Sequence, residues 1–179
     1  MNRLEKLPVP ILPTFVGALT LSNVYAGFGY SWLRHVMMWT AVVILSCYIV
    51  KMIRFPKTCL EEYKAVVPCS LYAGFSMVTM ILGSYFFELG FTAGKFIWGA
   101  GLAIHTVHLL VFTVRNMIMK REISTFVPSW FVTYNGIMVS CVTGGAMNAK
   151  GILTVVTYYG IAIYVILVPF MIWRLMKVE

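Results

Sequence analysis

Residues 128–146, PSWFVTYNGIMVSCVTGGA, are long enough to cross a bilayer and carry no charged side chain. At helical spacing the small and hydroxyl-bearing residues of this segment fall on one stripe, formed by Ser129, Thr133, Gly136, Ser140 and Thr143. Hydrocarbon cannot satisfy hydroxyl groups, so the stripe must face protein or water. It therefore either packs against a neighbouring helix or forms one wall of a polar pathway.

The composition of the whole chain is that of an integral membrane protein. Of its 179 residues, 60% are hydrophobic and only 11% are charged, whereas a soluble domain carries about 25% charged residues. The net charge of +8 therefore bears on orientation in the membrane, and we expect no nucleic-acid binding. No signal-peptide cleavage site follows the first apolar segment, which is predicted to stay as a membrane anchor.

Six segments have the length and hydropathy of membrane-spanning helices, which predicts an all-α integral membrane fold. Their approximate limits are 9–28, 33–53, 68–88, 95–116, 127–147 and 151–173. The connections after the first, third and fifth spans are short, so the spans are expected to pair as three tandem helical hairpins. These hairpins cover about 9–53, 68–116 and 127–173 of a single transmembrane domain, 1–179. The odd-numbered spans carry the small and polar side chains and are predicted to be inner helices, with the even-numbered spans facing lipid.

The basic residues are distributed unevenly between the two sides of this predicted domain. Eleven of the fourteen Lys and Arg residues lie at the chain ends or in the connections after the second and fourth spans; the other three are Arg34, Lys95 and Lys150. The positive-inside rule then predicts a multi-pass protein of the cell membrane with both termini in the cytoplasm. Aromatic belts are expected at the span ends, formed by Trp32, Trp98, Trp130 and Trp173. Glu88 and Lys95 close the second hairpin, where they could neutralise each other or simply be solvated.

Residues suited to catalysis or metal binding are sparse. His105 and His108 lie in the fourth span and could hold a haem or a metal only with partners from another helix; hydrogen-bonded packing is the alternative. The chain has no Asp, four scattered cysteines and no Gly-rich phosphate loop. We therefore expect no enzymatic activity, no cofactor and no metal.

Five stretches of the sequence resemble the tellurite-resistance/dicarboxylate transporter (TDT) family of the slow-anion-channel superfamily. They are 7–10 (LPVP), 17–24 (GALTLSNV), 61–63 (EEY), 75–86 (FSMVTMILGSYF) and 127–137 (VPSWFVTYNGI). The resemblance implies a fold of five tandem hairpins, in which odd helices ring a central pore and even helices form an outer layer. It also implies transport of anions such as chloride, nitrate, malate or sulfite, in trimers with one pore per subunit.

The sequence covers about the first three of the family's five hairpins. By that measure it is a fragment, a naturally shortened member, or a protein that completes its wall by self-association. The mid-helix prolines of the family's inner helices are replaced here by Ser76 and Thr133, so a kink at either place needs another cause. The helix that carries the family's pore-occluding phenylalanine is missing, and no gate residue is assigned.

Together, the stripes and the resemblance predict an anion channel or transporter of the C4-dicarboxylate, tellurite and inorganic-anion class. No charge falls at the centre of a span, so hydroxyls and dipoles would hold the anion. The predicted lining residues are Thr14, Ala18, Ser22, Ala73, Ser76, Thr133, Gly136, Ser140 and Thr143. The expected partners are the lipid bilayer, small anions and further copies of the chain, in a trimer if the resemblance holds.

Three points stay open at this stage. The basic rim formed by Lys51, Arg54 and Lys57 could concentrate anions, although the positive-inside rule alone already accounts for it. The chain could instead be a non-transporting membrane subunit or paralogue that packs beside a full-length member. A haem-binding redox anchor built on His105 and His108 is the third function considered.

Overall fold

The computed structural model describes residues 3–120 and 126–177, and its regular elements within those ranges are helices, which confirms the predicted class. The α-helices are α1 Ile11–Gly27, α2 Ser31–Arg54, α3 Pro56–Lys64, α4 Val66–Leu71, α5 Ala73–Glu88, α6 Ala93–Phe112, α7 Trp130–Tyr134, α8 Val139–Thr143 and α9 Lys150–Lys177. A π-helical segment, Thr113–Lys120, prolongs α6, and a 3-10 turn, Gly136–Met138, joins α7 to α8. Arg121, which enters the predicted charge distribution, lies outside the described residues.

Four of the six predicted spans are helices long and apolar enough to cross a membrane. They are Ser31–Arg54, Val66–Glu88, Ala93–Met119 and Lys150–Lys177. The first predicted span, α1, has 17 residues and is about 25 Å long, slightly less than the roughly 30 Å hydrocarbon core. The fifth predicted span differs most from expectation, because α7, the 3-10 turn and α8 replace one continuous helix.

The fifth span is interrupted at Asn135 and Gly136. The Asn135 side chain donates from Nδ2 to the carbonyl oxygen of Gly160 in α9 at 3.3 Å, and the backbone N–H of Met138 bonds to the Asn135 carbonyl at 3.0 Å, three residues back. Asn and Gly are both poor helix formers, and a side chain that bonds to a neighbouring helix fixes the irregular turn. The interruption therefore comes from an Asn–Gly pair, two residues beyond Thr133, and requires no proline.

The α5 helix is the centre of the molecule and contacts α1, α2, α6 and α8. In the most apolar 18 residues of the Val66–Glu88 span, 67% are buried, against 22% in each of the other three long spans. The sequential pairs α1–α2, α5–α6 and α8–α9 are in contact. The even-numbered spans thus expose more of their surface than the third span does, and α1 buries only one stripe, Leu12, Val16, Leu19 and Ser22.

Glycines allow the backbones of α5 and α6 to touch. A Cβ atom added to Gly83 would lie 2.4 Å from the backbone nitrogen of Trp98, and one added to Gly94 would lie 2.3 Å from the backbone nitrogen of Phe87. Backbone atoms cannot move aside as the end of a flexible side chain can. This pair therefore has the close approach that small residues permit between membrane helices.

A buried ion pair links α2 to α3 where the amino-terminal segment meets them, at the end of the bundle away from the α5–α6 connection. The Lys51 ammonium group is fully buried and donates to both carboxylate oxygens of Glu62, at 2.7 and 2.9 Å, and to the Leu7 carbonyl at 2.8 Å. The Tyr72 hydroxyl donates to the same carboxylate at 2.6 Å. Lys51 is therefore unavailable as a rim cation, because a buried ammonium group must keep its paired carboxylate.

Replacement of Gly94 by alanine is expected to lower the free energy of unfolding by about 2 kcal/mol, because the methyl group collides with the α5 backbone. Gly99→Ala in the same helix is the matched control, since no described atom lies within 4 Å of the added Cβ. Alanine should leave stability unchanged there or raise it slightly. Unfolding in mild detergent, followed by circular dichroism, measures both variants, and equal effects would contradict the close approach.

Replacement of Lys51 by methionine should cost about 2 kcal/mol, because the partly buried Glu62 carboxylate loses its main partner. Lys57→Met removes the same charge from an exposed position in α3 and should change stability by less than about 0.5 kcal/mol. The double variant Lys51→Met with Glu62→Gln should recover part of the loss, since no carboxylate is then left unpaired. The same unfolding assay compares the three proteins, and a Lys57→Met loss as large as that of Lys51→Met would argue against the buried pair.

Candidate anion path

A row of polar groups lies where α4 and α5 meet α7 and the 3-10 turn. We call it the polar seam and define it by Ser70, Ser76, His105, Ser129, Thr133 and Gly136. The hydroxyls of Ser70 and Ser129 are hydrogen-bonded at 2.7 Å, and the Thr133 hydroxyl donates to the Ser70 carbonyl at 3.1 Å. The stripe of the fifth span therefore faces protein, as hydrocarbon requires of hydroxyl groups.

His105 connects three elements of the seam. It is fully buried, with Nδ1 2.8 Å from the Ser76 hydroxyl of α5 and Nε2 2.9 Å from the Thr133 carbonyl of α7. A carbonyl can only accept, so Nε2 must carry a proton; in the neutral ring Nδ1 is an acceptor, and it shares the single Ser76 hydroxyl proton with the Ala73 carbonyl, also at 2.8 Å. Both ring nitrogens are thus engaged, and His105 serves as a hydrogen-bonded packing residue.

His108 has a different environment, at the edge of an apolar groove of about 390 Å³ lined by residues of α2, α3, α5 and α6. Its Nδ1 lies 2.7 Å from the Tyr63 hydroxyl, and its buried Nε2 has no partner among the described residues. Burial raises the pKa of the Tyr63 phenol, which stays protonated and can donate to this ring. Within 3–120 and 126–177 no group of three His, Cys, Asp or Glu could hold a metal, so the two histidines gain no further ligands there.

A pocket of about 290 Å³ opens at the end of the bundle that carries the α1–α2 and α5–α6 connections. We call it the loop-end pocket, and its polar lining comes from four helices: Asn23 of α1, Arg34 of α2, Ser84 and Glu88 of α5, and Thr143 of α8. Arg34 donates from Nη2 to Glu88 at 2.6 Å and from Nε to the Asn23 side-chain oxygen at 2.7 Å. Convergent polar groups from separate helices make this pocket the candidate mouth of a path.

The nine predicted lining residues lie in different environments. Six are buried against other helices: Ser22, Ala73, Ser76, Thr133, Gly136 and Ser140. Thr143 lines the loop-end pocket, whereas on α1 Thr14 is exposed and Ala18 is half-buried. The Ser140 hydroxyl is fully buried and has no partner in the described part of the chain. The role of these nine residues in lining a path stays a prediction.

The sequence-based expectations for Glu88 and for two of the four belt tryptophans need correction. Glu88 pairs with Arg34, whereas the two alternatives considered for it were neutralisation by Lys95 and solvation. Trp98 is 4% exposed and donates from Nε1 to the Thr143 hydroxyl at 3.0 Å, so it is not part of a lipid-facing belt. Trp130 is likewise buried, at 5% exposure. Both indoles pack inside the protein, Trp98 in a cluster with Met80 and Met147, and Trp130 against the rings of Phe112 and Phe126.

Sequence reasoning missed the group formed by Asn23, Arg34 and Ser84. The available signal was that Arg34 is one of three basic residues on the basic-poor side and that Glu88 is the acidic residue predicted there. Their contact depends on how α2 packs against α5, which local spacing does not specify.

A family model described as "Voltage-dependent anion channel" matches residues 9–179. No curated protein and no solved structure matches the chain. The family match covers the helices of both the polar seam and the loop-end pocket.

Replacement of His105 by leucine should destabilise the protein by about 2 kcal/mol, because the Thr133 carbonyl is left buried without a donor. His35→Leu is the control: His35 is exposed and forms one side-chain hydrogen bond, to Tyr85 at 2.7 Å, so its loss should cost about 1 kcal/mol or less. Thermal unfolding in detergent measures the difference. Equal melting temperatures for the His105→Leu variant and the wild type would show that the seam does not depend on this imidazole.

Proposed function

The chain belongs to the voltage-dependent anion channel family, and we propose from this premise that it carries small anions along a path lined by α1, α5, α7 and α8. Membership implies a membrane protein that acts as an anion channel or transporter. The proposal adds the route, in which the loop-end pocket is the mouth and the polar seam is the wall. It also adds the substrate class, inorganic anions including tellurite and C4-dicarboxylates.

The observation that supports this route is the unpaired hydroxyl of Ser140. A buried hydroxyl without a partner costs about 1–3 kcal/mol, so it calls for a water molecule or an ion beside it. Ser140 lies in α8, between Thr143, which lines the loop-end pocket, and Gly136, which packs on the His105 ring. An anion that entered by the pocket would meet this hydroxyl before it reached the seam.

The proposed substrate class rests on the family resemblance, and the chemistry of the lining suits it. The donors of the seam are neutral, the hydroxyls of Ser and Thr and one imidazole N–H, and each would have to turn from its protein acceptor to reach an anion. Neutral donors coordinate an anion weakly, which suits passage better than tight binding. We propose a homo-oligomer, a trimer by family resemblance, in the cell membrane with both termini cytoplasmic. The many large apolar side chains exposed on α2 and α9 suit contact with lipid and with further copies.

A non-transporting subunit is the second candidate, and a specific observation favours it. Ser70, Ser129, Thr133 and His105 satisfy most of their hydrogen bonds within the protein, so the seam could serve packing alone. Such a chain would bind a full-length family member and contribute no path of its own. Native mass spectrometry of the chain with a larger homologue distinguishes this candidate, because the proposed homo-oligomer would contain only this chain.

Replacement of Ser140 by alanine tests the path. Since the hydroxyl has no protein partner, its removal should not lower the melting temperature, whereas flux should fall about fivefold if it contributes about 1 kcal/mol to the passing anion. Ser46→Ala in α2, where the hydroxyl is exposed, should change neither quantity. Proteoliposomes of the purified chain, assayed in turn with chloride, nitrate, malate and tellurite, provide the measurement.

The proposal fails if wild-type proteoliposomes pass none of these anions, in which case the non-transporting candidate stands. It also fails in its choice of route if flux is present and Ser140→Ala equals the wild type.

A further inference from the structure

We propose that the loop-end pocket is an anion-binding site in which Arg34 is the ligand for the anion and the Glu88 carboxylate is a tethered competitor for the same guanidinium. The anion class is small oxyanions, carboxylates and halides. The physiological ligand rests on the proposed function, whereas binding at the pocket does not require that the protein conducts.

The guanidinium of Arg34 is held in place by two further groups. Its Nε donates to Asn23 of α1 at 2.7 Å, and its central carbon lies 5.3 Å from the centroid of the Tyr85 ring of α5. Arg carries five N–H donors in a fixed fork, and the Nη1 group has no partner in the described part of the chain. The pocket thus contains a guanidinium that is held in position and still has unpaired N–H donors, as anion recognition requires.

The pocket already contains one oxyanion, which is part of the protein itself. One oxygen of the Glu88 carboxylate accepts from Arg34 at 2.6 Å, and the other accepts from the Ser84 hydroxyl at 3.2 Å. Donors from α2 and α5 therefore converge on a carboxylate within a pocket of about 290 Å³. An external carboxylate, nitrate or chloride could use the same donors after Glu88 turns away.

The two side chains of this ion pair differ in solvent exposure, which indicates that Arg34 stays fixed and that Glu88 can move. The side chain of Arg34 is 23% exposed and that of Glu88 is 45% exposed. Glu88 is the last residue of α5, followed closely by Gly90, whose φ of +92° marks a turn. Ion pairs exposed to this extent contribute little to stability, because the released carboxylate is hydrated again. Glu88 can therefore leave while Arg34 stays on Asn23 and Tyr85.

A built-in competitor has a functional consequence. An anion binds only by displacing Glu88, so the apparent affinity of Arg34 is lowered. A weak site at the mouth of a path releases its ion as readily as it takes it up, which conduction requires.

Chloride binding to the purified protein in detergent, followed by ³⁵Cl NMR line broadening, tests the site directly. Arg34→Gln should abolish the protein-dependent broadening. Glu88→Gln should lower the half-saturating chloride concentration about fivefold, since it removes the competing charge. Lys95→Gln is the matched control, because it removes one positive charge from an exposed residue at the same end that does not line the pocket.

A higher affinity for chloride in Glu88→Gln cannot result from misfolding. This variant therefore still tests the site if Arg34→Gln is unstable. The proposal is overturned if wild-type protein shows no chloride broadening, if Lys95→Gln loses as much as Arg34→Gln, or if Glu88→Gln binds chloride no more tightly than the wild type. If chloride binding depends on Arg34 but proteoliposomes show no flux, only the proposed function is refuted. If proteoliposomes show flux but chloride binding does not depend on Arg34, only this inference is refuted.

Discussion

The direct contact between the backbones of α5 and α6 is the constraint on which the rest of the structure depends. Gly83 and Gly94 leave no side chain between the two helices, so α6 lies close enough for its own side chains to reach past α5. His105 thereby reaches Thr133, and Trp98 reaches Thr143. Both bonds end on the fifth predicted span. The glycines therefore contribute to the placement of α7 and α8, which also contact α5 directly.

The interrupted fifth span follows from the same arrangement. Irregular backbone at membrane depth is tolerated only where other protein groups or a water-filled cavity satisfy it. Here Asn135 bonds to α9 on one side, and Gly136 lies against His105 on the other. Broken helices at the core of transport proteins place backbone dipoles near the path. In this chain the break includes Gly136 of the seam and precedes the unpaired Ser140 hydroxyl, where on the proposed route such dipoles would face an anion.

The sequence predicts those properties that depend on hydropathy and polarity alone. The helical class and most span limits follow from apolar length, and the inward orientation of Thr133 and Ser140 follows because lipid cannot satisfy hydroxyls. The Asn135–Gly136 pair is a visible signal of weak helix propensity, but the bond that fixes the break, to a carbonyl 25 residues away in α9, does not follow from spacing along the chain. The central position of α5 was not predicted either, because burial depends on the number of neighbouring helices, which polarity along one segment does not reveal. The partners of Lys51 and Glu88 are likewise set by helix packing and not by spacing along the chain.

The two ion pairs at opposite ends of the bundle show how one chemical motif serves two purposes. Both join a cation of α2 to a glutamate, at 2.7 Å for Lys51 with Glu62 and at 2.6 Å for Arg34 with Glu88. The first cation is fully buried and also binds the Leu7 carbonyl, so separating that pair would leave an unpaired charge inside the protein. The second pair is partly hydrated, and its glutamate ends a helix beside a glycine turn. Solvent exposure, rather than distance or residue type, therefore distinguishes the pair that holds the fold together from the pair that can exchange its carboxylate for another anion.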